Sequence, residues 1–267
     1  MLGWPSFEIL YKRNRTAMTV LTVLTVLFFI VASLYSLVGF GGGSSYIALL
    51  VFFEENYLLI PVIALICNLI VVCGGCFHFN RFGHLTLSRA LPYVLTSVPF
   101  SFLGGAVKID RQTFMLVLGL SLLAAGIRLL VFPSQHLSTL ETRQSKKHIS
   151  YLIGAFLGLL SGMIGIGGGI FLAPLLLSFR LARPKEVAAI CSLFILVNSA
   201  AGLGGQFVKS SVDFGEVFGY SPLFLAVFVG GQVGSRISSS QTISDFTVKK
   251  LTAFLIIFVS LRLLFVM

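Results

Sequence analysis

Two glycine runs, Gly39-Phe40-Gly41-Gly42-Gly43 and Gly165-Ile166-Gly167-Gly168-Gly169, lie 126 positions apart, and each closes one apolar segment and opens another. Glycine inside a helix costs about 1 kcal/mol relative to alanine. Four glycines in five positions therefore predict a break in the helix. Where the flanking segments are apolar enough to lie in a bilayer, broken backbone is tolerated only if it is buried in protein or lines a cavity.

The rest of the chain meets that condition. Of 267 residues 57% are hydrophobic and 10% charged, with mean hydropathy +1.00, whereas a soluble domain carries about 25% charged residues. Apolar stretches near the ~20 residues needed to span a bilayer occur at 17–38, 57–79, 87–107, 113–132, 187–208, 217–236 and 247–266. Shorter pieces at 44–53, 149–164 and 170–180 flank the glycine runs and suggest half-helices or re-entrant hairpins. The expected fold is an all-α polytopic membrane protein of two repeated halves, each with about four transmembrane segments and one helix broken at the GxGGG motif.

A polar stretch at 133–148 divides the copies, giving an interfacial segment 1–16, a first repeat 17–132, a linker and a second repeat 149–267. Pro92 matches Pro222 and Gly104 matches Gly234, while Arg128 matches Arg262. Asn68 aligns with Asn198 if the following Gly-Gly pairs are matched, or with Ser192 if Cys67-Asn68-Leu69 is matched to Cys191-Ser192-Leu193. Both alignments stand. A buried amide in hydrocarbon needs partners, so Asn68 is either glue between helices or a substrate contact.

The net charge of +10 comes from cations concentrated in connecting loops, among them Arg81, Arg89, Lys146, Lys147, Arg183 and Lys185. These read as topology and headgroup charge, and no nucleic-acid module is present. Cys73-Gly-Gly-Cys76 has metal-site spacing without a second pair, so the cysteines read as small packing residues. The first apolar segment is longer than a signal peptide's h-region and no small-residue cleavage site follows.

All nine carboxylates lie at segment ends or in loops. Cation and proton carriers place acids within the membrane despite a cost of about 2.5–3.5 kcal/mol each, so a metal or cation substrate and carboxylate-based catalysis are disfavoured. The interior suits anions instead. Helices restarting at Gly43-Ser44-Ser45 and at Gly169-Ile170-Phe171 offer unpaired N–H groups and positive dipole ends. Close approach through Gly41, Gly42, Gly43, Gly167, Gly168 and Gly169 makes these candidate substrate contacts, with Ser44 and Ser45 as the more polar end and Ile170 and Phe171 as an apolar wall. Arg128 and Arg262 follow long apolar runs, to snorkel to an interface or to touch the anion. Tight small-xxx-small helix crossing is the competing account of the glycines. Paired breaks in matching places of two halves mark a transporter's binding site.

Gly39-Phe-Gly-Gly-Gly43 and Ser161-Gly-Met-Ile-Gly-Ile-Gly-Gly-Gly169-Ile-Phe-Leu-Ala-Pro174 resemble the duplicated signature of the sulfite exporter TauE/SafE family, the toluene-sulfonate uptake permeases, over about residues 17–266. Cys67-Asn68-Leu69 and Cys191-Ser192-Leu193 look like that family's Thr-Asn and Thr-Ser positions with cysteine in place of threonine, and Ala48 stands where the second copy has the family's proline, Pro174. The resemblance implies a multipass carrier for sulfite, organosulfonates or related sulfur oxyanions in the inner membrane, without a cofactor. The expectation is eight passes with parallel repeats and a cytoplasmic N-terminus, with Arg89 inside and Arg183 and Lys185 outside. Expected partners are the bilayer, the small anion and a second copy of the chain. The other classes in view are a channel or carrier for another small anion such as a carboxylate, and a membrane assembly or lipid-modifying protein.

Overall fold

The structure, a computed structural model, describes residues 7–37, 39–53, 56–108, 110–131, 147–179, 181–209, 214–239, 257, 260 and 261. The linker falls outside these apart from Lys147 and His148, and so does nearly all of the last apolar segment. Ten helices and no strands occur among the described residues: α1 (Phe7–Ser36), α2 (Gly43–Phe52), α3 (Ile60–Arg81), α4 (Leu87–Ala106), α5 (Arg111–Val131), α6 (Lys147–Ile164), α7 (Gly169–Ser178), α8 (Pro184–Lys209), α9 (Phe214–Gly219) and α10 (Ser221–Ser239). Four helical stretches, Met18–Ser36, Ile60–Arg81, Lys147–Ile164 and Lys185–Lys209, are long and apolar enough to cross a membrane. The 20 residues of α4 give it a comparable length, about 30 Å at 1.5 Å per residue. Residues 7–16 are continuous with α1 rather than a separate interfacial helix.

Glycine stripes set which helices touch. On α6, Gly154, Gly158 and Gly162 lie against the Tyr93, Ser97 and Ser101 carbonyls of α4, so close that a Cβ at any of the three would collide with backbone. Small residues at four-residue spacing let backbones approach in this way. The order of these pairs makes α4 and α6 parallel. Gly230 and Gly234 of α10 meet Phe29 and Ser33 of α1 in the same fashion and the same sense. The third long helix of each half thus packs on the first helix of the other, and the halves are interlaced.

Helix direction follows from the remaining contacts. Gly75 faces Ser192 while Leu65 faces Gly202, so α3 and α8 are antiparallel. Ser101 Oγ donates to the Asn198 carbonyl at 2.8 Å, and twelve residues earlier on both helices Arg89 Nη1 meets Glu186 Oε2 at 2.7 Å, so α4 and α8 are parallel. Between α1 and α3, α2 folds back along α1, with Phe28 and Tyr46 rings stacked at 4.6 Å.

These directions overturn the eight-pass, parallel arrangement. Arg89 and Glu186 share one membrane face, so Arg89, Arg183 and Lys185 lie on the same side rather than on opposite sides. The physical reason is length: α2 and α7 have ten residues each, about 15 Å, half a crossing. Each broken unit therefore folds back toward the face it entered, and because Gly74 faces Gln232 and Gly231 faces Val71, α3 runs with α10 and α1, opposite to α4, α6 and α8, so the described part of the second half is inverted relative to the first.

Candidate functional site

Each break is a helix stop followed at once by a helix start. At the first, Phe40 N bonds Tyr35 O at 3.0 Å and Gly39 N bonds Ser36 O at 3.3 Å, closing α1 with a left-handed residue, Gly39, at φ +78°. Gly42 at φ +91° then caps α2, and its carbonyl accepts from Ser45 N and Tyr46 N, both at 3.0 Å. The second break repeats the device: Gly165 N bonds Ser161 O at 2.8 Å, and the Gly168 carbonyl accepts from Phe171 N and Leu172 N. A left-handed backbone costs a residue with a Cβ roughly 1–2 kcal/mol, which is why Gly42 and Gly168 are glycine. The amides just inside, Gly43 and Ser44 on α2 and Gly169 and Ile170 on α7, have no acceptor among the described residues.

The two breaks are brought together by α3 and α8. Asn68 Nδ2 donates to Ile166 O in the second break at 3.1 Å, and Ser192 Oγ donates to Gly39 O in the first at 2.7 Å. Asn68 also fills the space that side chains at Gly41 and Gly43 would occupy, and its amide nitrogen stands 3.0 Å from a Cβ position at Gly167. Gly41 and Gly43 are thus glycine because of close approach. Asn68 and Ser192 act in mirrored roles, which matches the alignment through the cysteines; Asn198 sits deeper along α8, where its Nδ2 donates to Phe194 O at 2.8 Å.

Several buried polar atoms on these helices have no partner among the described residues: Asn68 Oδ1, Asn198 Oδ1, Ser161 Oγ, Ser199 Oγ and Tyr46 OH. All five side chains are fully enclosed. Ser199 Oγ stands 3.1 Å from a Cβ position at Gly167, Ser161 borders Gly168, and Tyr46 borders Gly42. An unpaired buried polar group costs about 1–3 kcal/mol, so a set of them marks a place that a ligand or water completes. No buried Asp, Glu, Lys, Arg or His accompanies them among the described residues, and no group of side chains there is able to hold a metal ion.

The serines of the first break are otherwise engaged. Tyr35 OH lies 2.7 Å from Ser45 Oγ and 3.3 Å from Ser44 Oγ, so the open hydrogen-bonding groups are Tyr46 OH and Asn68 Oδ1 beside the first break and Ser161 and Ser199 beside the second. Ile170 is buried in the core and Phe171 half-buried beside it. Arg128 lies on the α5 backbone, but its side chain and all of Arg262 fall outside the described residues. Ser161, Ser199, Tyr35 and Tyr46 escaped sequence reasoning, because a hydroxyl in an apolar helix carries no pattern of its own.

Comparison with known proteins finds a membrane-transporter family. The model of the family described as "Sulfite exporter TauE/SafE" matches residues 24–263. The chain is 31% identical over 215 residues to the probable membrane transporter protein y4hK of Sinorhizobium fredii, covering 79% of this chain and 85% of that one. It is 27% identical over 211 residues to the probable membrane transporter protein MJ0441 of Methanocaldococcus jannaschii, covering 75% and 78%. To the probable membrane transporter protein YunE of Bacillus subtilis it is 21% identical over 235 residues, covering 78% and 85%. No solved structure matches the chain.

Proposed function

The chain belongs to the sulfite exporter TauE/SafE family, and from that membership we propose that it is a secondary carrier of small sulfur-containing anions, such as sulfite or organosulfonates, bound where the two breaks cross. Its relatives bear the name of probable membrane transporters. The carrier works in the inner membrane of a cell that has two.

The observation that carries the reading is the meeting of Asn68 with both breaks, beside unpartnered amides at two helix starts. A helix N-terminus favours an anion through its free N–H groups and dipole. Hydroxyls of Ser161 and Ser199 add donors without adding charge. Inverted halves meeting at one site also provide alternating access: rocking one half against the other exposes the same contacts to either face. Among the described residues no nucleophile is paired with a base there, and we assign no reaction.

Reconstitution tests this. Purified protein in liposomes should take up labelled sulfite with saturation and with competition by organosulfonates, but not by amines or divalent cations. Flux linear in concentration without saturation points to a channel and overturns the carrier; preference for amines or cations overturns the anion.

A further inference from the structure

Resting on that reading, we infer that the site takes a singly charged oxyanion that carries its own hydrogen-bond donor, so that the substrate brings the transported proton with it. The deciding groups are the amide oxygen of Asn68, at the breaks, and that of Asn198, next to Ser199 on α8. Asn68 Nδ2 and Asn198 Nδ2 each donate to a backbone carbonyl, Ile166 O and Phe194 O. A carbonyl accepts only, so these bonds fix which end of each amide is nitrogen. Asn68 Oδ1 and Asn198 Oδ1 are therefore acceptors, both fully buried and both unpartnered.

A fully ionised dianion has no hydrogen to give them. Among the described residues no buried Lys, Arg or His stands ready to balance its second charge either. A hydrogen oxyanion satisfies both sets at once: its oxygens accept from the helix-start amides and serine hydroxyls, and its O–H donates to an amide oxygen. The titratable groups near the breaks, Tyr35 and Tyr46 beside the first, Cys67 next to Asn68 and Cys191 next to Ser192, are phenols and thiols that remain protonated at acid and neutral pH. The chain thus needs no membrane carboxylate to move a proton. Ionisation of the substrate, rather than of the protein, sets the pH response.

Calorimetric titration of the full chain in detergent with sulfite, methanesulfonate and sulfate, across pH 5.5 to about 8.5, decides it. Sulfite affinity should be constant below the anion's second ionisation and fall about tenfold per pH unit above it. Methanesulfonate, a monoanion with no O–H, should bind at least about tenfold more weakly than sulfite at acid pH, with no pH trend. Sulfate should not bind. Asn198→Leu should narrow the gap between sulfite and methanesulfonate; should that variant fail to fold, Ser199→Ala serves as a control that weakens both ligands alike. Sulfite binding that is independent of pH, or sulfate binding as tightly as sulfite, overturns the inference and leaves the anion carrier standing. Binding that requires sodium at constant pH assigns the amide oxygens to a cation and overturns it too. Failure of every sulfur oxyanion at every pH overturns both readings.

Discussion

Asn68 on α3 and Ser192 on α8 hold opposite breaks: the amide of the first half binds Ile166 O of the second at 3.1 Å, and the hydroxyl of the second binds Gly39 O of the first at 2.7 Å. Each half's break is thereby fixed by a side chain from the other half. Asn68→Ala leaves Ile166 O without its bond and removes an acceptor from the site. A lost buried hydrogen bond costs about 1–3 kcal/mol, so sulfite affinity should fall roughly 5- to 150-fold. Ser192→Ala frees Gly39 O away from the unpartnered groups and should lower thermal stability with a smaller change in affinity. Calorimetry and thermal melts on both variants check this division.

Alanine at Gly42 or Gly168 forces a Cβ onto a left-handed backbone and to within 2.8 Å of the Tyr46 or Phe194 ring. Gly83 is equally left-handed at φ +70° but faces open space. Gly83→Ala should cost only the backbone term, about 1–2 kcal/mol, and retain transport. The other two should melt lower still and lose transport. Equal melting temperatures for the three would show that the rings yield freely.

The inverted arrangement predicts which exposed positions share a face. In a background with Cys67, Cys73, Cys76 and Cys191 replaced by alanine, single cysteines at Lys147 and Lys185 should react with a membrane-impermeant maleimide from one side of intact cells. Cysteines at Lys108 and Glu216 should react only from the other. Reactivity of Lys147 and Lys185 positions from opposite sides would restore the parallel repeat.

Asp110 caps α5: its carboxylate accepts from the Thr113 hydroxyl at 2.6 Å and from the Thr113 amide at 2.9 Å, and these bonds hold its pKa below the ordinary value. A carboxyl lowered on folding stabilises above its unfolded pKa, and the effect is lost as pH falls through the folded one. Asp110→Ala should therefore melt slightly below the wild type at neutral pH, and the difference should vanish as pH drops below about 4. A difference that persists at low pH would mean that the ionised cap is not its source.

The breaks were legible in the sequence because left-handed backbone selects glycine so strongly, and α2 through α8 begin within three residues of the expected segments. Asn68 stood out because an amide in hydrocarbon is costly. The glycine stripe of α6 was also in plain view at four-residue spacing. What the sequence could not carry was non-local: which serine finds a partner depends on the helix that arrives opposite, so Ser44 and Ser45 looked open while Tyr35 engages both. Sidedness was hidden for a related reason, because cations lie at both ends of the molecule, and it took the contact between Arg89 and Glu186 to place them.

Interlacing also governs the order of assembly as the chain is made. The α1 surface that seats against α10 enters the membrane about 200 residues before α10 is synthesised, roughly 10–40 s at ~5–20 residues per second. Throughout that interval the α10 face carrying Gly230 and Gly234, which seats on it, does not exist. The newborn first half must be held by lipid or by the insertion machinery, with its break unlatched until Ser192 emerges. Completion of α8 and α10 is thus the step that converts a threaded chain into a working site, and a ribosome that stops short of them releases a protein whose first break is not secured.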